Sequence, residues 1–306
     1  MIFSMQNAAD KTAAPPECHG ILWLASFPKS GNTWTRNFLH NLINILERGA
    51  DAPQDINGMN DLTFWEITVE PYERIIGKPV TDATREEIAA ARPKVQELIS
   101  NAVDGLAMVK THNCLVLDHG NPMINTDVTA GAVYVVRNPL DVAVSYASHI
   151  GGTIDRAIET MNTPNTETVS DKDGVHEIYG SWSQHVDSWT RKPHEAIYVM
   201  RYEDMLAYPM QTFRDLAHHL LLNPTKAQLR LAIERSSFEE LKKQEEEHGF
   251  KERPDQSERF FRSGKAGQWR KVLSPRQVAN IVRVHHKQMS RFGYLTDELK
   301  HLVPRA

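Results

Sequence analysis

Cysteine is nearly absent: the 306 residues hold two, Cys18 and Cys114. Two thiols alone cannot build a disulfide framework or a zinc site. No apolar run is long enough to cross a bilayer, and the first twenty residues lack the apolar core of a signal peptide. The expected compartment is therefore the cytoplasm, with no membrane partner. Positive charge is short as well, the formal net charge being −4. That argues against nucleic acid as a partner, and any anionic ligand must find its cations locally. No segment repeats, and no linker divides the chain. Residues 1–19, with Ala13-Ala14-Pro15-Pro16, read as a mobile tail ahead of a single domain. A 41% hydrophobic share beside 24% charged residues is that of an ordinary globular protein.

What is present begins at Ile21. An apolar run to Phe27 empties into Pro28-Lys29-Ser30-Gly31-Asn32-Thr33-Trp34, which opens directly into a helical pattern. A strand, a tight polar loop and a helix start form the geometry that holds a phosphate or sulfate. The first N–H groups of a helix have no partners within it, and they point at whatever anion sits there. Gly31 permits close backbone approach, Lys29 adds a mobile charge, and Ser30 and Thr33 add hydroxyl donors. The loop differs from the nucleotide-triphosphate P-loop, because its lysine precedes its glycine.

Periodicity gives the frame. Trp34, Phe38, Leu42 and Ile45 recur at helical spacing. Residues 84–100 read as a helix, 106–110 and 132–136 as strands, and Pro139 as the opening of a helix to about Ser148. Residues 151–174 are polar and aperiodic and read as a loop. A helix is expected over 176–189, a strand over 196–200, a helix capped by Asp204, a charged helix over 237–247 and a last helix with Val278, Ile281, Val282, His285 and Met289 on one stripe. Residues 248–267 read as a mobile stretch. Alternating strands and helices predict an α/β fold with a central, mostly parallel sheet flanked by helices. Its ligand should lie beyond the carboxyl ends of the strands.

Two more segments fall on that rim. Lys110-Thr111-His112 ends a strand, and a histidine there is a candidate general base with an unperturbed pKa of ~6.5. Its structural alternative is a ring satisfied by a backbone carbonyl. Arg137 leaves another strand and can fork onto a phosphate, with Ser145 eight residues on, two turns into the next helix. Its alternative is a salt bridge to Asp141. The fourteen histidines suggest metal, but the adjacent pairs His218-His219 and His285-His286 point to different helix faces, and no metal is expected. His176 and His185 read as structural or exposed, and Trp182 and Trp189 as core. Phe64, Trp65 and Tyr72 are candidates for an acceptor pocket or a local cluster.

In this order, the segments at 28–34, 110–112 and 137–145 resemble the cytosolic type of sulfotransferase, which uses 3′-phosphoadenosine 5′-phosphosulfate (PAPS). Tyr202-Glu203-Asp204 is similar to the family's Tyr-Glu-Asp. Arg262-Ser263-Gly264-Lys265-Ala266-Gly267-Gln268-Trp269 is similar to its Arg-Lys-Gly-x-x-Gly-x-Trp. The resemblance spans residues 21 to about 270 and implies one sulfotransferase domain over 20–306, with a P-loop-like strand-loop-helix for the 5′-phosphosulfate.

It implies roles too. Lys29 would contact the 5′-phosphosulfate and stabilise the leaving oxygen. Ser30, Gly31, Asn32 and Thr33 would cradle the 5′-phosphate. Trp34 would stack on adenine, with Tyr202, Ser236 and Phe238 completing the pocket. Arg137, Ser145, Arg262 and Gly264, with Ser263 in the same segment, would hold the 3′-phosphate. His112 would take the proton of a hydroxyl on a small-molecule or glycan acceptor, and Lys110 would help position the transferred group. Ser263 stands where the family often has lysine, Asn32 where threonine is common, and Gln268 where aspartate is common. The family's C-terminal dimer pattern is not found. The competing expectations are a kinase-like phosphotransferase and a non-catalytic binder of PAPS or of its product, 3′-phosphoadenosine 5′-phosphate (PAP).

Overall fold

The computed structural model describes residues 19–253 and 259–304. The expected tail lies, apart from His19, outside the described residues, as does Cys18. In chain order the elements are β1 Gly20–Ser26, α1 Asn32–Arg48, α2 Met59–Leu62, β2 Thr63–Trp65, α3 Val69–Ile76, α4 Arg85–Ser100 and β3 Leu106–Thr111. Then come β4 Leu117–Asp118, β5 Asn121–Pro122, β6 Thr129–Val136, α5 Pro139–His149, α6 Ile154–Asn162 and α7 Trp182–Thr190. The chain continues with β7 Ile197–Arg201, α8 Tyr202–Ala207, α9 Pro209–His219, α10 Lys226–Arg235, α11 Phe238–His248, α12 Trp269–Val272 and α13 Pro275–Arg291.

Five strands form one sheet in the order β2-β3-β1-β6-β7, every neighbouring pair parallel. β1 is its centre, and all seven of its residues are buried. Its alternate side chains feed two cores. Ile21, Trp23 and Ala25 pack with Val95 of α4, Val144 of α5, Trp182 and Trp189 of α7 and Ile281 of α13. Leu22 and Leu24 pack with Phe38 and Leu42 of α1, Phe213 of α9 and Leu229 of α10. A strand covered on both faces reads as a continuous apolar run, which is why its period of two was invisible in the sequence.

Several expectations are corrected. Within 151–174 lies α6, a two-and-a-half-turn helix that buries only Ala157, Ile158 and Met161. So few apolar positions among charged neighbours give little periodic signal. The helix expected from His176 starts at Trp182, where Ser181 and Gln184 form a capping box. His176 lies before it, with Nε2 at 2.7 Å from Asp118. Asp204 caps nothing: α8 begins at Tyr202, and its N-cap is Arg201, with no side-chain bond. Of the stretch expected to be mobile, Glu252, Phe260, Phe261, Arg262, Ser263 and Gly264 line the site described next, and residues 254–258 lie outside the described residues. Tyr72 is fully buried in the main core, Phe64 packs against that core, and Trp65 alone of the three lines a cavity.

Candidate active site

From β1 the chain runs one way to β2 and β3 and the other way to β6 and β7, so the crevice at its carboxyl end is the switch point of the sheet. A cavity of about 490 Å³ opens there. The loop after β1, the residues ending β3 and those following β6 meet in its wall.

α1 starts abruptly. Gly31 is its N-cap at φ 113°, and no side chain caps the helix. A Cβ at Gly31 would stand 2.8 Å from the Tyr202 ring. The first intrahelical bond is Thr35 N–H to Gly31 O at 3.1 Å, so the N–H groups of Asn32, Thr33 and Trp34 remain for a ligand. Lys29 holds a left-handed φ of 65°, a conformation that costs an L-residue about 1–2 kcal/mol. Arg137 offsets this by donating to the Lys29 carbonyl at 2.9 Å. Lys29 Nζ sits 4.0 Å from the centre of the Phe260 ring. Burial, then the charges of Arg137 and Lys110, lower its pKa to about 8.

Arg137 lies 4.2 Å over the Tyr202 ring and also donates to Lys265 O at 3.4 Å. It does not pair with Asp141. That carboxylate accepts from the N–H groups of Gly267 at 2.7 Å and Trp269 at 3.1 Å, mooring the Arg262–Trp269 segment to α5. Glu203 likewise accepts from Asn138 N–H at 3.0 Å and Tyr294 O–H at 2.8 Å, which explains the Tyr-Glu-Asp segment as a brace. Buried atoms left without protein partners include Ser30 Oγ, Trp34 Nε1 and Arg137 Nε. All three can donate, so the wall is furnished for an anionic, hydrogen-bonding guest.

His112 Nδ1 is 2.7 Å from the carbonyl of Ser26. A carbonyl only accepts, so Nδ1 carries the proton and Nε2 has a free lone pair. The structural alternative and the catalytic reading thus coincide: the carbonyl sets the tautomer a base needs. Burial, then Lys110, hold the ring's pKa well below 6.5. Its peptide is pinned on both sides. The N–H reaches Glu177 Oε1 at 3.2 Å, and the carbonyl lies 3.0 Å from His185 Nε2, whose Nδ1 meets Tyr134 Oη at 2.9 Å.

Beneath it, Glu66 accepts from Thr111 Oγ1, from Asn113 Nδ2 at 2.6 Å and from Gln96 Nε2 at 2.9 Å, with Arg92 NH1 3.4 Å away. This carboxylate grips both neighbours of His112. Glu66→Gln puts an amide donor where donors already converge, and it should cost about 1–3 kcal/mol of stability. Urea unfolding with an unchanged m-value will check this.

The structure brings Lys29, Gly31, Asn32, Thr33, Trp34, Lys110, His112, Arg137, Ser145, Tyr202, Phe238, Arg262, Ser263 and Gly264 to one cavity wall. Ser30 lies buried in the same loop. Asn32 departs from expectation in part: its amide donates to Leu24 O at 2.7 Å, turning back on β1, so its backbone N–H is the group it offers. Ser236 is not part of the wall. It ends α10, is fully buried, and its hydroxyl donates to Ala232 O at 2.8 Å. Reading by motif missed Glu66, Glu177 and Glu252, which have no local signature, and His149, which burial holds at a pKa of about 3.

A model of the sulfotransferase domain matches residues 20–293. The chain belongs to the sulfotransferase family. This sulfotransferase is 25% identical over 299 residues to dog sulfotransferase 1A1, covering 95% of the chain and 89% of the relative. It is 24% identical over 288 residues to flavonol 3-sulfotransferase of Flaveria bidentis, covering 89% and 82%. Its fold is that of retinol dehydratase, solved in a complex with retinol and PAP, at a TM-score of 0.60, 20% identity and 90% and 82% coverage. Mouse sulfotransferase SULT7A1, solved with PAP, gives 0.57 at 19% identity, with 92% and 88% coverage.

Proposed function

We propose that this sulfotransferase moves the sulfuryl group of PAPS to a hydroxyl of a small-molecule or glycan acceptor, with His112 as general base. The observation that carries the reading is one cavity in which Lys29, Arg137 and the first N–H groups of α1 face a histidine with an unprotonated Nε2. Bound PAPS supplies a sulfuryl group already joined to a phosphate leaving group.

His112 Nε2 takes the acceptor proton while the acceptor oxygen bonds to sulfur and the bridging S–O bond breaks. The charge released onto the phosphate oxygen faces Lys29 and the N–H groups of α1, placed before the reaction starts. Such transfers need in-line positioning and charge stabilisation more than covalent help. Ser30 Oγ, Gly31, Asn32 N–H and Thr33 cradle the 5′-phosphate. Trp34, Tyr202 and Phe238 hold adenine. Arg137, Ser145, Arg262, Ser263 and Gly264 hold the 3′-phosphate, the Ser263 hydroxyl standing in for an ammonium. Lys110 meets the transferring group. On the acceptor side, Trp65, Ile67, Tyr146, Ile150 and Tyr179 line the cavity. These flat apolar walls support a compact acceptor with an apolar face.

Labelled sulfate should pass from sulfur-35 PAPS to members of a phenol and alcohol panel. No transfer by protein that binds PAP rejects the enzyme reading and leaves a binding module. Mg²⁺-dependent ATP binding with no preference for a 3′-phosphate favours a phosphotransferase.

Gly264 tests the base pocket. It holds φ 61°, and an added Cβ would stand 2.3 Å from the Phe238 ring. Gly264→Ala should displace that ring and weaken PAP about tenfold, a loss of ~1.4 kcal/mol, read by calorimetry.

A further inference from the structure

A carboxylate has no evident place beside cations that receive an anion, yet one is there. Among the described residues, Glu252 and Glu177 are the carboxylates that line the cavity. Glu177 is committed to the His112 N–H and to Tyr179 O–H, at 3.2 and 3.0 Å. Glu252 reaches in from the segment after α11 and sits 3.6 Å from Lys110 Nζ.

We propose that Glu252 sets the preference of this site between the sulfated donor and its desulfated product, by holding the Lys110 ammonium that the sulfuryl group requires. The inference rests on the donor reading above. Glu252 is firmly placed. Its Oε1 is 2.8 Å and its Oε2 3.0 Å from Arg36 NH1, and the Arg36 side chain is fully buried behind it, outside the cavity wall. Asn60 Oδ1 takes the other terminal nitrogen of Arg36 at 2.8 Å. A buried guanidinium without a counter-charge is costly, so Arg36 retains Glu252. The backbone is fixed as well: Lys251 N–H donates to Asn57 Oδ1 at 2.9 Å, and Asn57 Nδ2 to Gly249 O at 3.3 Å.

Lys110 is therefore held between two partners. Its ammonium lies 3.8 Å from the centre of the Trp65 ring on one side and against Glu252 on the other. A sulfuryl oxygen arriving at Lys110 shares it with a fixed carboxylate or pulls Glu252 off Arg36. Either course weakens the donor. PAP carries no sulfuryl group, so it escapes that cost. The native site is thereby tilted toward its spent nucleotide.

Calorimetry with PAP and with PAPS, in the absence of acceptor, tests this on the full chain. Glu252→Gln should tighten PAPS about tenfold more than PAP, the PAP change measuring the general effect of removing a charge. The pair Arg36→Gln with Glu252→Gln removes the fully buried guanidinium together with its carboxylate and should give the same ratio, so the test survives if the single variant does not fold. In a Lys110→Met background, Glu252→Gln should leave the ratio unchanged. Equal tightening of both ligands, weaker PAPS binding, or a ratio change that persists without Lys110 would overturn the assignment. Wild-type protein that binds neither nucleotide rejects the donor reading itself, and this inference with it.

Discussion

His112→Ala should lower turnover by about 10²–10⁴ while leaving PAP affinity within about twofold, since that is the usual worth of a positioned general base. The split follows from the geometry. The imidazole bonds Ser26 O through Nδ1, and its peptide is held by Glu177 and His185, so the side chain can be removed without freeing the loop. Glu66 retains its grip on Thr111 and Asn113 in the variant. The residues proposed to hold the nucleotide lie on other elements, in the loop after β1, before and within α5, at the starts of α8 and α11 and in 262–264. Single-turnover transfer and PAP calorimetry on the same preparation check the prediction. Turnover within about fivefold of wild type removes His112 from the base role.

Lys29→Met should cost about 10²–10³ in turnover, the loss seen when one preorganised donor to a developing negative charge is deleted. The pH dependence carries a second signature. Burial and the neighbouring cations lower the Lys29 pKa from 10.5 to about 8. An anionic donor binds the ammonium form, so kcat/KM for PAPS should be highest below pH 8 and fall as Lys29 loses its proton above it. That parameter reports groups of the free enzyme. His112, held well below 6.5, is already neutral through this range and should add no acidic limb near its ordinary pKa. In Lys29→Met the decline above pH 8 should vanish, leaving a flat, low profile between pH 6 and 9. A decline that survives the substitution assigns it to another group.

What could be read in advance was whatever the backbone enforces locally. A strand buried on both faces, a glycine at a left-handed turn and a helix opened by Pro139 each leave a mark within a few residues. The loop after β1, Lys110 to His112 and Arg137 to Ser145 were therefore visible, and the parallel order brought them together. The supporting charges were not. Glu66 lies 46 residues before His112, and Arg36 lies 216 before Glu252, so only the folded chain makes them neighbours. Ser236 misled for the opposite reason. A serine directly after α10's last residue finds a carbonyl of its own helix before it finds a ligand, as Ser236 Oγ does with Ile233 O, three residues back, at 3.3 Å. α6 escaped because it rests only three side chains on the core, too thin a stripe to stand out from its polar surroundings.

The Asp141 mooring has a consequence for the cost of recognition. One carboxylate on α5 clasps two amides more than 120 residues downstream, a contact made wholly by the chain's own groups. The Arg262–Trp269 segment, proposed above to meet the 3′-phosphate, is thus fixed by the chain itself, and its ordering entropy is spent during folding and not at the moment of capture. Swapping the clasp for asparagine would move that expense from the making of the protein to each encounter with its ligand.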